Sequence, residues 1–221
     1  MDLGLPPARA VVFDLDGLMF NTEELYVEVG TEILRRRGYQ FTNELLDQMM
    51  GRPSHVALQI MIDTHTLKAT VQELLAETDE TFPEILRQRL APMPGLIDLL
   101  AALEQHHIPK GIATSSRRAF VERVLAKFNF QPRFHPILTS EDITHGKPDP
   151  EIYLKAAAAL GIAPGEMLVL EDSQNGCKAA VSAGAITVAV PSGHSHRHDF
   201  SGAALVAESL ADRRICDLIG I

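Results

Sequence analysis

Val11-Val12-Phe13-Asp14-Leu15-Asp16-Gly17-Leu18-Met19-Phe20-Asn21-Thr22 opens as an apolar run that ends in two carboxylates. Val11, Val12 and Phe13, β-branched or aromatic and stopped by Gly17, predict a short buried strand. Residues two apart on a strand point to the same side, so Asp14 and Asp16 project together from its C-terminal end. In parallel α/β sheets that end lines the ligand crevice. Two acids this close repel each other unless a cation lies between them or one holds a proton. Either outcome is chemically useful, as a hard-metal site or as a nucleophile beside a general acid. Alone, Asp-x-Asp-Gly fits a turn or a calcium loop as well. Leu18, Met19 and Phe20, however, stand where a calcium loop would place further ligands.

The 221 residues suffice for one substantial core with room for a smaller second unit. Hydrophobic residues make up 46% and charged residues 22%, the balance of a soluble globular protein. A net charge of −9 opposes nucleic acid or an anionic membrane as the main partner. It does not oppose an anionic substrate, because a local Mg2+ and Lys override the global sign. The N-terminal Met-Asp-Leu-Gly-Leu-Pro-Pro has no basic region or long apolar run, so no signal peptide is expected. No stretch approaches a membrane span. Cys177 and Cys216 give no disulfide framework, which makes a reducing cytoplasm the expected compartment and small buried side chains the expected role. A monomer is the default.

From Pro94 onwards helices alternate with short apolar runs. Helical spacing covers Leu96 to Gln105, Ala119 to Phe128, Glu151 to Leu160 and Gly176 to Ala183. Strands are predicted at Pro109–Ala113, Pro136–Thr139, Met167–Leu170 and Ile186–Val190. This alternation predicts an α/β fold, a parallel sheet with helices on both faces. Residues 23 to 90 break the rhythm with amphipathic stretches at Glu23–Arg37, Asn43–Met50, Ser54–His65 and Val71–Leu90. They form an inserted helical domain, reached through linkers near Leu18–Thr22 and Ala91–Gly95. Placed directly after the Asp-bearing strand, it can act as a lid that excludes water and chooses the substrate. Met49, Met50 and Met61 read as its core.

Three further groups follow apolar strands. Thr114-Ser115-Ser116 puts hydroxyls and backbone N–H groups where the chain turns into a helix, a phosphate cradle or simply a helix cap. Lys147 lies in His145-Gly146-Lys147-Pro148-Asp149-Pro150, where the prolines and glycine fix the backbone around an ammonium group. Glu171-Asp172-Ser173 repeats the acid-pair logic on a second strand. Four acids together repel one another, and Mg2+ with Lys147 would close the charge balance. His194, His196 and His198 alternate after Gly193, which fits a solvated loop better than a Zn2+ or Ni2+ site.

In order and spacing, Asp14-x-Asp16-Gly17-x-x-x-x-Thr22, Thr114, Gly146-Lys147-Pro148-x-Pro150 and Glu171-Asp172-Ser173-x-x-Gly176 resemble the haloacid dehalogenase (HAD) superfamily, and within it the β-phosphoglucomutase-type phosphatases. The resemblance spans the whole chain. It implies a Rossmann-like core at residues 1–20 and 92–221 and a small α-helical cap domain at 21–91. It also implies a phosphatase of small phosphorylated metabolites. In that scheme Asp14 is the nucleophile and forms an aspartyl-phosphate. Asp16 protonates the leaving oxygen and then deprotonates water. Asp14, the Asp16 carbonyl and Asp172 hold Mg2+, with Glu171 a ligand or its neighbour. Thr114 and Lys147 bind the phosphoryl oxygens, assisted by the Ser115 N–H.

The chain departs from the family pattern in places. Asn21 stands where Asp is common, and Tyr26 stands where the mutases carry His. Around Met50-Gly-Arg52-Pro-Ser-His55 the mutases' arginine for a second phosphate is missing, with Arg52 the available substitute. These departures favour a phosphatase over a β-phosphoglucomutase-type mutase. A dehalogenase is disfavoured because Asp16 is present. A non-catalytic module on this scaffold would show an eroded motif, and none is eroded.

Overall fold

In the computed structural model, which describes residues 7–49 and 54–221, the apolar runs assemble into one sheet. Its strands are β1 (Ala10–Phe13), β2 (Lys110–Ala113), β3 (Ile137–Leu138), β4 (Met167–Glu171), β5 (Ile186–Ala189) and β6 (Leu205–Val206). The order is β3-β2-β1-β4-β5-β6, and every pairing is parallel. Val12 lies between Gly111 of β2 and Val169 of β4. The chain therefore adds β2 and β3 on one side of β1 and β4 to β6 on the other. That reversal opens a crevice beyond the C-terminal ends of β1, β2 and β4, where Asp14, Thr114 and Asp172 follow their strands.

By contact the chain divides into two compact units, Met1–Phe20 with Pro92–Ile221, and Asn21–Ala91. The second is helical, with α1 (Thr22–Arg35), α2 (Asn43–Met49), α3 (Ser54–His65) and α4 (Val71–Arg89). Within it α1 packs on α4, α2 on α3 and α3 on α4. Leu25, Val29 and Ile33 of α1 spaced four apart, Met61 of α3, and Leu74, Phe82 and Leu86 of α4 are buried. Thr70 and Glu73 cap α4 reciprocally. Asn21 explains its own departure from the family's Asp. Its amide donates to the Arg89 carbonyl (3.3 Å) while its side-chain oxygen accepts from Ala91 N–H (2.8 Å). A carboxylate lacks the first of these donors. No helix among the described residues is long and apolar enough to cross a membrane.

The sheet unit carries α5 (Leu96–Gln105), α6 (Arg118–Lys127), α7 (Glu151–Leu160), α8 (Gln174–Ser182) and α9 (Arg213–Asp217). One core cluster joins Val12, Ala113 and Val169 of the sheet to Ile152, Tyr153 and Ala156 of α7 and Ala179 and Ala180 of α8. Pro109 and Pro136, expected inside strands, lie just outside them, and their carbonyls accept from Val11 (3.0 Å) and Ile112 (2.8 Å). β4 runs one residue further than the apolar pattern, so Glu171 ends the strand, opposite Ala189. β6 and α9 were not legible: a two-residue strand and a five-residue helix are too short for periodicity to register. In the sheet unit the two linkers pair, Phe20 with Pro92, and Met93 N–H donates to Met19 (2.9 Å).

Gly95 enters α5 at φ +86°, and a Cβ there would lie 2.2 Å from the Ala211 nitrogen. Left-handed strain and a backbone clash add, so Gly95→Ala is expected to cost more than about 2 kcal/mol in urea unfolding, where an unstrained surface Gly→Ala is neutral or stabilising.

Candidate active site

Because β1 ends at Phe13, Asp14 leaves the sheet while its backbone N–H still donates to Leu170 (3.0 Å). Its carboxylate is buried. Lys147 reaches it from the turn before α7. The ammonium donates to Asp14 Oδ1 (2.5 Å), Glu171 Oε1 (2.6 Å) and the Ala113 carbonyl (2.9 Å). Its three hydrogens are thus all used. The turn is fixed from outside: Glu151 accepts from the Thr144 and His145 N–H groups and pairs with Lys155 (2.7 Å). His145, Asp149 and Glu151 could hold a metal by proximity, but Glu151 is engaged in this tether.

Asp16 is held by hydroxyls. Thr114 (3.2 Å) and Ser116 (2.6 Å) both donate to its Oδ2, while its buried Oδ1 has no hydrogen-bond partner. That asymmetry pins one oxygen and leaves the other unengaged. Ser115 is exposed on the same turn, and Ser116 N–H donates to Thr114 Oγ1 (3.0 Å).

Asp14, Glu171 and Asp172 are buried and offer oxygens within 4.8 Å of one another. Three carboxylates against the Lys147 ammonium leave a surplus of negative charge. Burial, opposed by Lys147 and reinforced by Glu171 and Asp16, pushes the Asp14 carboxyl up to about 8. Burial works against the Lys147 charge too, but Asp14 and Glu171 outweigh it and raise its pKa well above the ordinary value. An all-oxygen, anion-rich donor set suits a hard divalent cation. Asp14 and Asp172, with Glu171 beside them, fit such an ion.

The sequence reading missed Tyr153. Its hydroxyl donates to Glu171 Oε1 (2.7 Å), and Lys147 Nζ lies 5.1 Å from its ring centroid. Within α7 it reads as one more apolar core position. Gly176 has a steric reason to be glycine, since a Cβ there would lie 1.7 Å from Glu171 Oε1. Arg52 and Met50 lie outside the described residues. His196 is exposed and His198 Nδ1 accepts from Gln174 N–H (3.4 Å). Neither joins a metal-ligating group among the described residues. Cys177 is buried and free, with burial raising its thiol pKa.

A model of the haloacid dehalogenase-like hydrolase family matches residues 11–190. The chain belongs to that family. It is 36% identical over 207 residues to a Drosophila melanogaster protein described as a probable pseudouridine-5'-phosphatase, covering 91% of this chain and 89% of the relative. It is 30% identical over 212 residues to β-phosphoglucomutase of Bacillus subtilis, covering 92% and 91%. A solved HAD family hydrolase from Deinococcus radiodurans, with bound phosphate and sodium, superposes with a TM-score of 0.80 at 25% identity, covering 96% of each chain.

The raised Asp14 pKa has a consequence for this HAD hydrolase. Between 3.8 and about 8 the folded state binds more protons than the unfolded state, so metal-free stability falls as pH rises through that window. Asn cannot titrate. In EDTA, Asp14→Asn should therefore gain stability relative to wild type as pH rises from 5 to 8, read in denaturant titrations.

Proposed function

We propose that this HAD hydrolase is a Mg2+-dependent phosphatase of small phosphorylated metabolites, working through an aspartyl-phosphate at Asp14. The observation that carries the reading is the buried Asp14 carboxylate, held by Lys147 at 2.5 Å and two residues from an Asp16 whose second oxygen is unengaged. Asp14 attacks phosphorus, and the P–O bond to the leaving group breaks as Asp16 delivers its proton to that oxygen. Asp16, now ionised, takes a proton from water. That water attacks the phosphoryl-aspartate, inorganic phosphate leaves, and Asp14 is restored.

A carboxylate approaches an anionic phosphoryl group only when repulsion is relieved. Lys147 supplies part of that relief, exchanging one of its three protein acceptors for a phosphoryl oxygen. Thr114 and the Ser115 N–H complete the cradle at the start of α6. Asp14, Asp172 and the Asp16 carbonyl would hold Mg2+, with Glu171 adjacent. When bound, the ion neutralises the carboxylates and the developing phosphoryl charge. The inserted helical unit is assigned the role of cap and specificity element.

The similarity to β-phosphoglucomutase keeps a mutase as the second reading. Against it, Tyr26, in the mutase His position, is exposed and stacks on Phe82 (4.5 Å between centroids). Phosphate release from a metabolite panel, with Mg2+ or EDTA, separates the two. Mg2+-dependent release, reduced at least ~10³-fold in Asp14→Asn and in Lys147→Ala, is expected. Conversion of a hexose 1-phosphate to its 6-phosphate without net release would transfer the assignment to the mutase.

A further inference from the structure

The turn that carries Asp16 is held from a distant part of the chain. Gly17 follows the acid at φ +75°, and its N–H donates to the Phe20 carbonyl (3.0 Å), which fixes the Asp16–Gly17 peptide plane. The next peptide is fixed by Ser192, whose hydroxyl donates to the Gly17 carbonyl (3.0 Å). Ser192 comes just after β5, where Val190 N–H still donates to the Glu171 carbonyl (2.7 Å). Pro191 has no N–H to continue the sheet, and the chain enters the tight turn Gly193–Arg197. Buried Ser195 clasps Ser192 in that turn. Ser192 N–H donates to Ser195 Oγ (2.8 Å), which donates back to the Ser192 carbonyl (2.9 Å). Gly17, Leu18 and Ser192 also border a cavity of about 200 Å³. Packing along the Asp16 turn is therefore incomplete, and these hydrogen bonds hold it in place.

We propose that Ser192 is a positioning residue for proton transfer by Asp16, acting through the Gly17 carbonyl. The proposal rests on the phosphatase reading above, in which Asp16 is the general acid. Thr114 and Ser116 pin one carboxyl oxygen of Asp16, but the direction of the other follows the backbone from which the side chain hangs. A shift of about 1 Å at a proton donor is enough to cost tenfold or more in rate. The far end of the same segment is tied to the loop that follows β4. His198 Nδ1 accepts from Gln174 N–H (3.4 Å), and Gln174 Oε1 accepts from Asp199 N–H (3.0 Å). Residues 192–199 thus brace the acid-bearing loops after β1 and β4 against each other.

The test compares Ser192→Ala with wild type on 4-nitrophenyl phosphate and benzyl phosphate at saturating Mg2+. The two esters are alike in size, but nitrophenolate leaves without a proton and the benzyl alkoxide does not. kcat/KM reports the steps through transfer to Asp14, before water enters. Ser192→Ala is expected to lose about tenfold in kcat/KM for benzyl phosphate and to stay within about twofold for 4-nitrophenyl phosphate. Ser192→Thr keeps the hydroxyl and should restore the benzyl rate. In the metal-free protein, hydrogen exchange at the Gly17 amide should run about fivefold faster in Ser192→Ala. Equal losses on both esters, no loss on either, or unchanged exchange overturns the inference. If Ser192→Ala does not fold, Ser192→Val against Ser192→Thr gives the same comparison at matched volume. Asp16→Asn should lose at least ~100-fold on benzyl phosphate and far less on the nitrophenyl ester. Equal losses in Asp16→Asn would defeat the general-acid reading itself, an outcome distinct from a defect confined to the Ser192 variants. If wild type hydrolyses neither ester, the phosphatase reading and the inference that rests on it fall together.

Discussion

A buried ammonium between two buried carboxylates organises this molecule. Lys147 is the cation that meets both Asp14 and Glu171, and it reaches them from a separate segment of chain. Breaking a buried ion network by removing one partner leaves an uncompensated charge in a low-dielectric interior, which is costly. Much of the surrounding architecture serves that constraint. β1 and β4 are adjacent, so their terminal acids lie side by side, and Glu151 ties down the turn that carries the lysine. Tyr153 and Ser173 take up the hydrogen-bonding capacity of Glu171 that Lys147 does not use.

The same constraint accounts for the chemistry. Asp14 is a poor nucleophile while protonated, and burial beside other acids favours the protonated form. Lys147 opposes this, and a divalent cation would oppose it further. On the proposed reading, the site is built with surplus negative charge so that ligand and metal complete it. Asp16 has the contrasting environment. Two hydroxyls hold one oxygen, and the other has no hydrogen-bond partner, which on the proposed reading serves proton transfer.

Much of this was legible in the residues, for identifiable reasons. Short β-branched runs between amphipathic helices have few alternatives to a parallel sheet, and a carboxylate two residues from another at a strand end advertises chemistry. Lys147 stood out because prolines and a glycine fix its backbone. Tyr153 did not stand out. In the Glu151–Leu160 pattern it occupies a core position, and its hydroxyl gains meaning only when the sheet places Glu171 within reach. In the sequence Ser116 is one more hydroxyl of a turn, and its bond to Asp16 depends on the pairing of β1 with β2. Arg52 stands out only against the mutases' cap arginine, and the alternating histidines after Gly193 fit a solvated loop better than a metal site. The structure brings neither His196 nor His198 into a metal-ligating group among the described residues.

Covalent phosphorylation of Asp14 is the step on which the proposed function turns. The most direct measurement is rapid acid quenching of a single turnover with a phosphorylated sugar substrate and Mg2+, followed by mass analysis of the peptide that contains Asp14. A transient gain of one phosphoryl group on that peptide is expected, formed before phosphate is released and absent in Asp14→Asn. Complete turnover with no phosphorylated peptide at any time, or label on a different residue, would contradict it.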